Sequence, residues 1–232
     1  MAKYERAEAR KEQILLAAER VFAQKGFHQS TVSEIAREAG VSDATIYEYF
    51  PNKEELLFSI PLETTRKGKE SLASHMRFIR GAANKLRAII YGYLHFFHTH
   101  PDYASVALLI LKPNRDFLKT EAYGLVREWS RLTLAVVKEG MASGEFRPDT
   151  DPFLVRSAVL GTIEHNVISW VLLGRPKDLT KLADPLTDML VQGIRQETDL
   201  KGWNLRILLE PPTGKDKVKP QPKRARKKTV KE

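Results

Sequence analysis

The chain has 232 residues, 42% hydrophobic and 29% charged, the balance of a globular protein with one large domain or a small and a medium one. It contains no cysteine, which excludes disulfides, thiolate zinc sites, iron–sulfur clusters and cysteine nucleophiles. The formal net charge is +9, yet residues 211–232 alone carry nine Lys or Arg against Asp216 and Glu232, a surplus of +7. Residues 1–60 hold eight basic and ten acidic side chains, so a nucleic-acid reading of that segment must rest on where residues sit. No apolar run is long enough to span a membrane, and the charged N-terminus MAKYERAEARKEQ lacks the apolar stretch of a secretory leader. A cytoplasmic protein with no membrane partner is expected.

Residues 1–9 read as a polar arm. Ile14, Ala17, Ala18, Val21 and Phe22 then recur at helical spacing, and Gly26 stops that helix. Thr31 with Glu34 is a capping box that opens a second helix carrying Ile35, Ala36 and Ala39 on one face, and Gly40 ends it. Ser42 caps a third short helix whose inward residues are Ile46 and Phe50, and Pro51 closes it. Asn52 with Glu55 opens a helix that packs Leu56 and Leu57. Leu86, Ile89, Ile90, Tyr93, Leu94 and Phe97 line a helix ending before Pro101, and another spans about 103–111. A long helix is expected over about 115–142, with Leu118, Leu125, Trp129, Leu132, Val136 and Val137 on it and Gly144 as its stop. Asp151-Pro152 is a strong start signal for a helix through Leu160, Ile163, Val167 and Trp170 to Gly174. A last helix covers about 179–200; residues 211–232 are too poor in apolar side chains to bury a core, and 206–232 reads as a disordered basic tail. No strand-like alternation of useful length and no fixed repeat occur, so the fold class is all-α.

The most specific feature is STVSEIAREAGVSDATIYEYFPNKEEL, residues 30–56. Two short helices joined by a glycine-containing turn form a helix-turn-helix, whose second helix can present its N-terminal residues to the major groove. Residues 10–60 resemble the DNA-binding region of the TetR/AcrR family of bacterial transcriptional regulators. The match runs through Ile14, Ala17, Ala18, Phe22, Gly26 and Phe27, then Thr31, Ile35, Ala36, Ala39, Gly40, Val41 and Ser42, then Thr45, Ile46, Tyr47, Tyr49, Phe50, Asn52, Lys53 and Leu56. The family's small-residue slot, often glycine, is Ala44 here. Thr31 at a helix N-terminus, the hydroxyls of Tyr47 and Tyr49, Lys53 and His28 are candidate phosphate contacts. Tyr49 reads equally as a core ring. Ser42, Ala44, Thr45 and Glu48 are candidates for base edges, where Ala44 or the Thr45 methyl would meet a thymine methyl and Glu48 would accept from cytosine N4 or act by repelling phosphates.

The resemblance implies that residues 61–205 form a helical domain for effector binding and homodimerisation, through helices at about 152–173 and 179–200, placing two helix-turn-helix units on palindromic double-stranded DNA. EGMASGEFRPDTDPFLVRSAVLGTIEHNVISWVL (139–172) and DLTKLADPLTDMLVQGI (178–194) resemble the TetR-family regulators of fatty-acid degradation, with Gly161-Thr162-Ile163 and Trp170 in a similar frame. That group implies a repressor released from DNA by long-chain acyl-CoA. Tyr93, Phe97, Tyr103, Leu109, Trp129, Ile163, Val167 and Trp170 are candidates to line an apolar effector site. Lys112, Arg115, Lys119, Arg127 and Arg131 are candidate cations for the CoA phosphates. Glu164-His165 in an apolar helix reads as a polar pair in need of partners, orienting a ligand, bridging a dimer or serving structure alone. His95 and His98 are spaced to meet one ion, but Asp102 alone accompanies them among nearby carboxylates, and no metal or cofactor is expected. No phosphate-binding glycine loop, nucleophile elbow or H-E-x-x-H occurs, so an enzyme is not expected. Two alternatives remain: a regulator of efflux answering to hydrophobic xenobiotics, and a non-specific DNA-associated protein driven by its basic tail.

Overall fold

The computed structural model describes residues 2–196, all of it helix and connecting turns apart from one isolated antiparallel bridge, Phe146 to Arg195. The proposed tail 206–232 and the last residues of the expected final helix, 197–200, lie outside the described residues.

Helix α1 (Ala2–Gln29) begins earlier than the sequence suggests, so residues 2–9 form its first turns rather than a separate arm. Ile14, Ala17, Ala18, Val21 and Phe22 are buried on one face. The helix breaks at Gly26, where φ is 75°, a value that an L side chain strains to adopt. The chain then returns to set the Phe27 ring 5.7 Å from that of Phe22.

Helix α2 (Val32–Ala39) carries both halves of the capping box: Glu34 N–H donates to Thr31 Oγ1 at 3.2 Å and Thr31 N–H to Glu34 Oε2 at 3.0 Å. At its far end Gly40 is left-handed, with φ of 64°, and Val41 N–H closes on the Ala36 carbonyl at 2.9 Å. The free Ala39 carbonyl accepts from Gln13 Nε2 at 2.7 Å, which ties α2 to α1. Helix α3 (Asp43–Tyr49) starts on Ser42, whose Oγ accepts from Thr45 N–H at 3.1 Å. Ile46 and Phe50 are buried beneath it and join Ile14, Phe22, Ile35 and Leu56 in the continuous core of the chain. Truncating a buried aliphatic side chain such as Ile46 costs about 2–5 kcal/mol, so the seating of α3 depends on these contacts.

Helix α4 (Lys53–Met76) runs straight across the boundary expected near residue 60, with Pro61 inside it. Helix α5 (Ala82–Thr99) buries Leu86, Ile89, Ile90, Leu94 and Phe97 as its spacing predicts. Its N-terminus is capped from far away: the Glu145 carboxylate accepts from Ala82 N–H at 2.5 Å and Ala83 N–H at 3.0 Å, which Gly81 cannot do. Helix α6 (Pro101–Ser105) continues into a wider π-type turn, Val106–Leu111, in which Lys112 N–H reaches back to the Ala107 carbonyl at 3.0 Å.

Helix α7 (Glu121–Ala142) is shorter than the 115–142 expected. Thr120 caps it, accepting from Tyr123 N–H at 3.2 Å, while Asn114 caps a separate short turn, Phe117–Lys119, that leaves Leu118 45% exposed. Helix α8 (Pro152–Leu173) begins on Asp151, whose carboxylate accepts from Phe153 and Leu154 N–H, and ends at left-handed Gly174. Helix α9 (Ala183–Ile194) follows a tight turn, Leu179–Leu182, and stops six residues before the predicted end. Arg195 turns extended there, and the 145–147 strand-like segment takes its neighbours: Arg147 N–H donates to the Ile194 carbonyl and Gln196 N–H to the Glu145 carbonyl.

Candidate nucleic-acid interface and effector cavity

The packing of Ile46 and Phe50 decides which side of α3 faces outward. Ser42, Ala44, Tyr47 and Glu48 are exposed, while Thr45 and Tyr49 are half-buried. Tyr47, at 53% exposure, offers ring and hydroxyl freely. The Tyr49 ring lies 6.4 Å from that of Phe50 and is partly core. The Ser42 and Thr45 hydroxyls sit 2.9 Å apart, so the group that caps α3 also orients the neighbouring Thr45 hydroxyl. Ser33 on α2 donates to the Asp43 carboxylate, which ties α2 to the first turn of α3. Thr31 and His28 are exposed at the entry to α2, the latter edge-on to Phe27 at 5.5 Å.

Lys53 has a role that its sequence position does not reveal. Its ammonium donates to the carbonyls of Phe27 and Ser30, each at 2.8 Å, and lies 4.5 Å from the Phe27 ring centroid. Those carbonyls satisfy a cation placed against the α4 dipole. The lysine thereby clasps the start of α4 to the turn after α1, with one N–H left to offer outward. The salt bridges Lys25–Glu34 (2.5 Å) and Arg20–Glu38 (2.9 Å) fasten α1 to α2 as well. The Lys25 hydrogen bond and the capping bond from Thr31 hold the Glu34 carboxyl below its ordinary range.

A cavity of about 690 Å³ opens among α4, α5, α6, the π-type turn, α7 and α8, within the range of about 300–1,000 Å³ usual for small-molecule sites. Its walls include Pro61, Tyr93, Phe97, Tyr103, Leu108, Leu111, Phe117, Val126, Leu160 and Ile163. Four of the eight proposed effector residues therefore meet there: Tyr93, Phe97, Tyr103 and Ile163. The other four lie elsewhere. The π-type turn puts Leu108 and Leu111 on the wall in place of Leu109. Trp129 stands behind the wall, its ring 5.5 Å from that of Tyr93. Val167 is fully buried in the core, and Trp170 packs 5.4 Å from His98.

Of the proposed cations, Lys112 and Arg127 line the cavity. Arg115, Lys119 and Arg131 do not; Lys119 pairs with Asp116 at 2.8 Å, and Arg131 lies with Arg127 in a shallow groove along α7. Arg156 lines the cavity and was missed, although its spacing of four from Leu160 and seven from Ile163 is the signal that places it on their face. The expected Glu164-His165 pair separates: His165 is exposed, whereas Glu164 lines the cavity and forms an ion pair with Lys112. Tyr93 is half-buried in the chamber wall, and burial first, then the Glu164 charge, pushes its hydroxyl well above the ordinary phenol value, so it stays a donor. Among the described residues no group of three or more metal-ligating side chains converges, and no helix is long and apolar enough to cross a membrane.

The cavity wall is continuous with the DNA-binding half through α4, α6 and the π-type turn, the last two packed on α1. Pro61 belongs to the same helix as the Lys53 clasp. Tyr103 lies on α6, which packs on α1, and the neighbouring Asp102 reaches Glu19 of α1 electrostatically.

Comparison with known proteins agrees with this arrangement. Residues 14–60 match the family described as bacterial regulatory proteins, tetR family, and residues 67–193 match the YsiA-like protein C-terminal region. The fatty acid metabolism regulator protein of Bacillus subtilis (strain 168) is 32% identical over 185 residues, covering 80% of this chain and 95% of the relative. The structure of the transcriptional regulator FadR from Bacillus subtilis in complex with stearoyl-CoA superposes with a TM-score of 0.74 at 32% identity, over 79% of this chain and 99% of that one. The fatty acid degradation regulator FadR from Bacillus halodurans gives a TM-score of 0.72 at 31% identity, over the same shares of the two chains. With both halves matched in order, the chain belongs to the TetR family and is a DNA-binding transcriptional regulator, not an enzyme.

Proposed function

We propose that the protein is a homodimeric repressor of fatty-acid metabolism that leaves its operator when long-chain acyl-CoA enters the cavity. The observation that carries this reading is the cavity itself: an apolar chamber of about 690 Å³ with Lys112, Arg127 and Arg156 in its wall. An acyl chain fits the apolar part, and Arg127 and Arg156 suit the CoA phosphates. On the DNA side, Thr31, Tyr47, Tyr49, Lys53 and His28 meet phosphates, and Ser42, Ala44, Thr45 and Glu48 face base edges. The dimer reading draws support from α8, which is apolar on nearly every side. Phe153, Leu154, Leu172 and Leu173 on α8 and Met189 on α9 all remain more than half exposed, an apolar surface that a second copy would cover.

Selection of binding sites from random duplex DNA, at near-physiological salt and with stearoyl-CoA or free CoA present, tests the reading. A palindromic motif that disappears with stearoyl-CoA and persists with CoA supports it. A palindrome indifferent to both leaves a regulator whose effector is something other than acyl-CoA. Salt-sensitive binding without any motif would point instead to general DNA association.

A further inference from the structure

The ion pair in the cavity wall is unexpected for a site that needs cations. Lys112 closes the π-type turn and Glu164 comes from α8, so the pair bridges two elements across one side of the chamber. Its charge is cancelled, leaving Arg127 and Arg156 as the other cations of the wall. Glu164 is the more enclosed partner, its side chain 29% exposed against 50% for Lys112. Glu164 and the half-buried Tyr93 both line the chamber, so a ligand that enters it meets the Glu164 charge.

Resting on the acyl-CoA reading above, we infer that Glu164 is a specificity-determining residue that excludes free fatty acids from the cavity and admits their CoA thioesters. The two ligands share an acyl chain and differ at its end. A free fatty acid ends on a carboxylate. Drawn to Lys112, that carboxylate meets Glu164 on the same ammonium, and two like charges at one site repel. It can replace Glu164 only by exchanging one carboxylate for another, which gains nothing and strands the displaced one. A thioester ends on a neutral carbonyl. It accepts a hydrogen bond from Tyr93 or Lys112 without disturbing the pair, and its phosphates lie farther along, at Arg127 and Arg156, for which no ion pair occurs among the described residues. A regulator built this way answers to activated fatty acid and ignores the unactivated pool.

The test is the ratio of dissociation constants for stearate and stearoyl-CoA, both below their micellar concentrations, read by tryptophan fluorescence on the 232-residue chain. Wild type should prefer stearoyl-CoA. Glu164→Gln removes the charge at constant shape and should tighten stearate roughly fivefold, narrowing the ratio. Lys112→Gln should act in the opposite sense, since it leaves Glu164 uncompensated: stearate weakens and the ratio widens. The second variant carries the test should the first not fold, as judged by its melting curve. A ratio unchanged in both folded variants, or a wild type that binds stearate as tightly as stearoyl-CoA, overturns the inference while leaving an acyl-CoA receptor. A wild type that binds neither ligand overturns the acyl-CoA reading itself, and the inference with it.

Discussion

Gly140 on α7 offers a sharp test of how the effector half is packed. A methyl group at its Cα would lie 2.2 Å from Cδ2 and 2.5 Å from Cε2 of Phe146, and 2.8 Å from the Ala82 Cβ. Carbon atoms in ordinary contact sit about 3.5–4.0 Å apart, so the ring would have to retreat by more than an ångström. It has nowhere to go. Phe146 is fully buried, its N–H is bound to the Gly140 carbonyl at 2.9 Å, and its neighbours Glu145 and Arg147 are tied to α5 and to the end of α9. Overpacking of this kind costs about 1–3 kcal/mol or somewhat more. Alanine recovers about 0.5–1 kcal/mol through its better helix propensity. Gly140→Ala should therefore lose about 2 kcal/mol, which lowers Tm by roughly 4–8 °C in a protein of this size. Thermal and urea unfolding followed by circular dichroism measure it, and Phe146→Leu in the same chain should return part of the loss. A variant that melts at or above the wild-type temperature would refute the close approach of α7, the 145–147 segment and α5.

Three further variants probe the DNA-binding half. Tyr47→Phe removes an exposed hydroxyl and should weaken operator binding about fivefold with its sequence preference intact, as expected for a phosphate contact; undiminished affinity counts against that role. Lys53→Met breaks two hydrogen bonds from a charged donor and should destabilise the protein by about 2 kcal/mol in a melting experiment, whereas weaker DNA binding at unchanged Tm would mean that the clasp contributes nothing. Burial first, and then the Asp102 charge, pushes the Glu19 carboxyl from 4.5 up to about 7. The folded state thus holds this proton more tightly than the unfolded chain, and the resulting stability, full below about pH 4.5, is lost as pH rises through about 7. Glu19→Gln, neutral throughout, should melt alongside wild type at pH 4 and above it at pH 8; a gap independent of pH would show that Glu19 does not titrate in this way.

The helix-turn-helix was legible because the bonds that define it are local. Thr31 and Glu34, Ser42 and Thr45, and Asn52 and Glu55 each satisfy helix ends across three residues, and left-handed Gly40 needs no distant partner. The same holds for the buried faces of α1 and α5, where 3.6-residue spacing maps directly onto one side of a helix. Periodicity failed where a polar side chain a few residues inside the pattern chose a different start: Thr120 opens α7, although Leu118 continues its apolar stripe. Tertiary structure alone decided the rest. Lys53 meets carbonyls of residues 27 and 30, Glu145 caps a helix more than sixty residues earlier, and Arg195 leaves its helix to pair with Phe146. An aromatic on a helix face has the same spacing whether it looks into a void or into packed side chains. So Tyr93 and Trp129, or Ile163 and Val167, were indistinguishable until the helices closed around one chamber. Glu164 shows the limit most clearly: its partner lies on another element, 52 residues away, and only their meeting turns a polar residue in an apolar helix into part of a binding site.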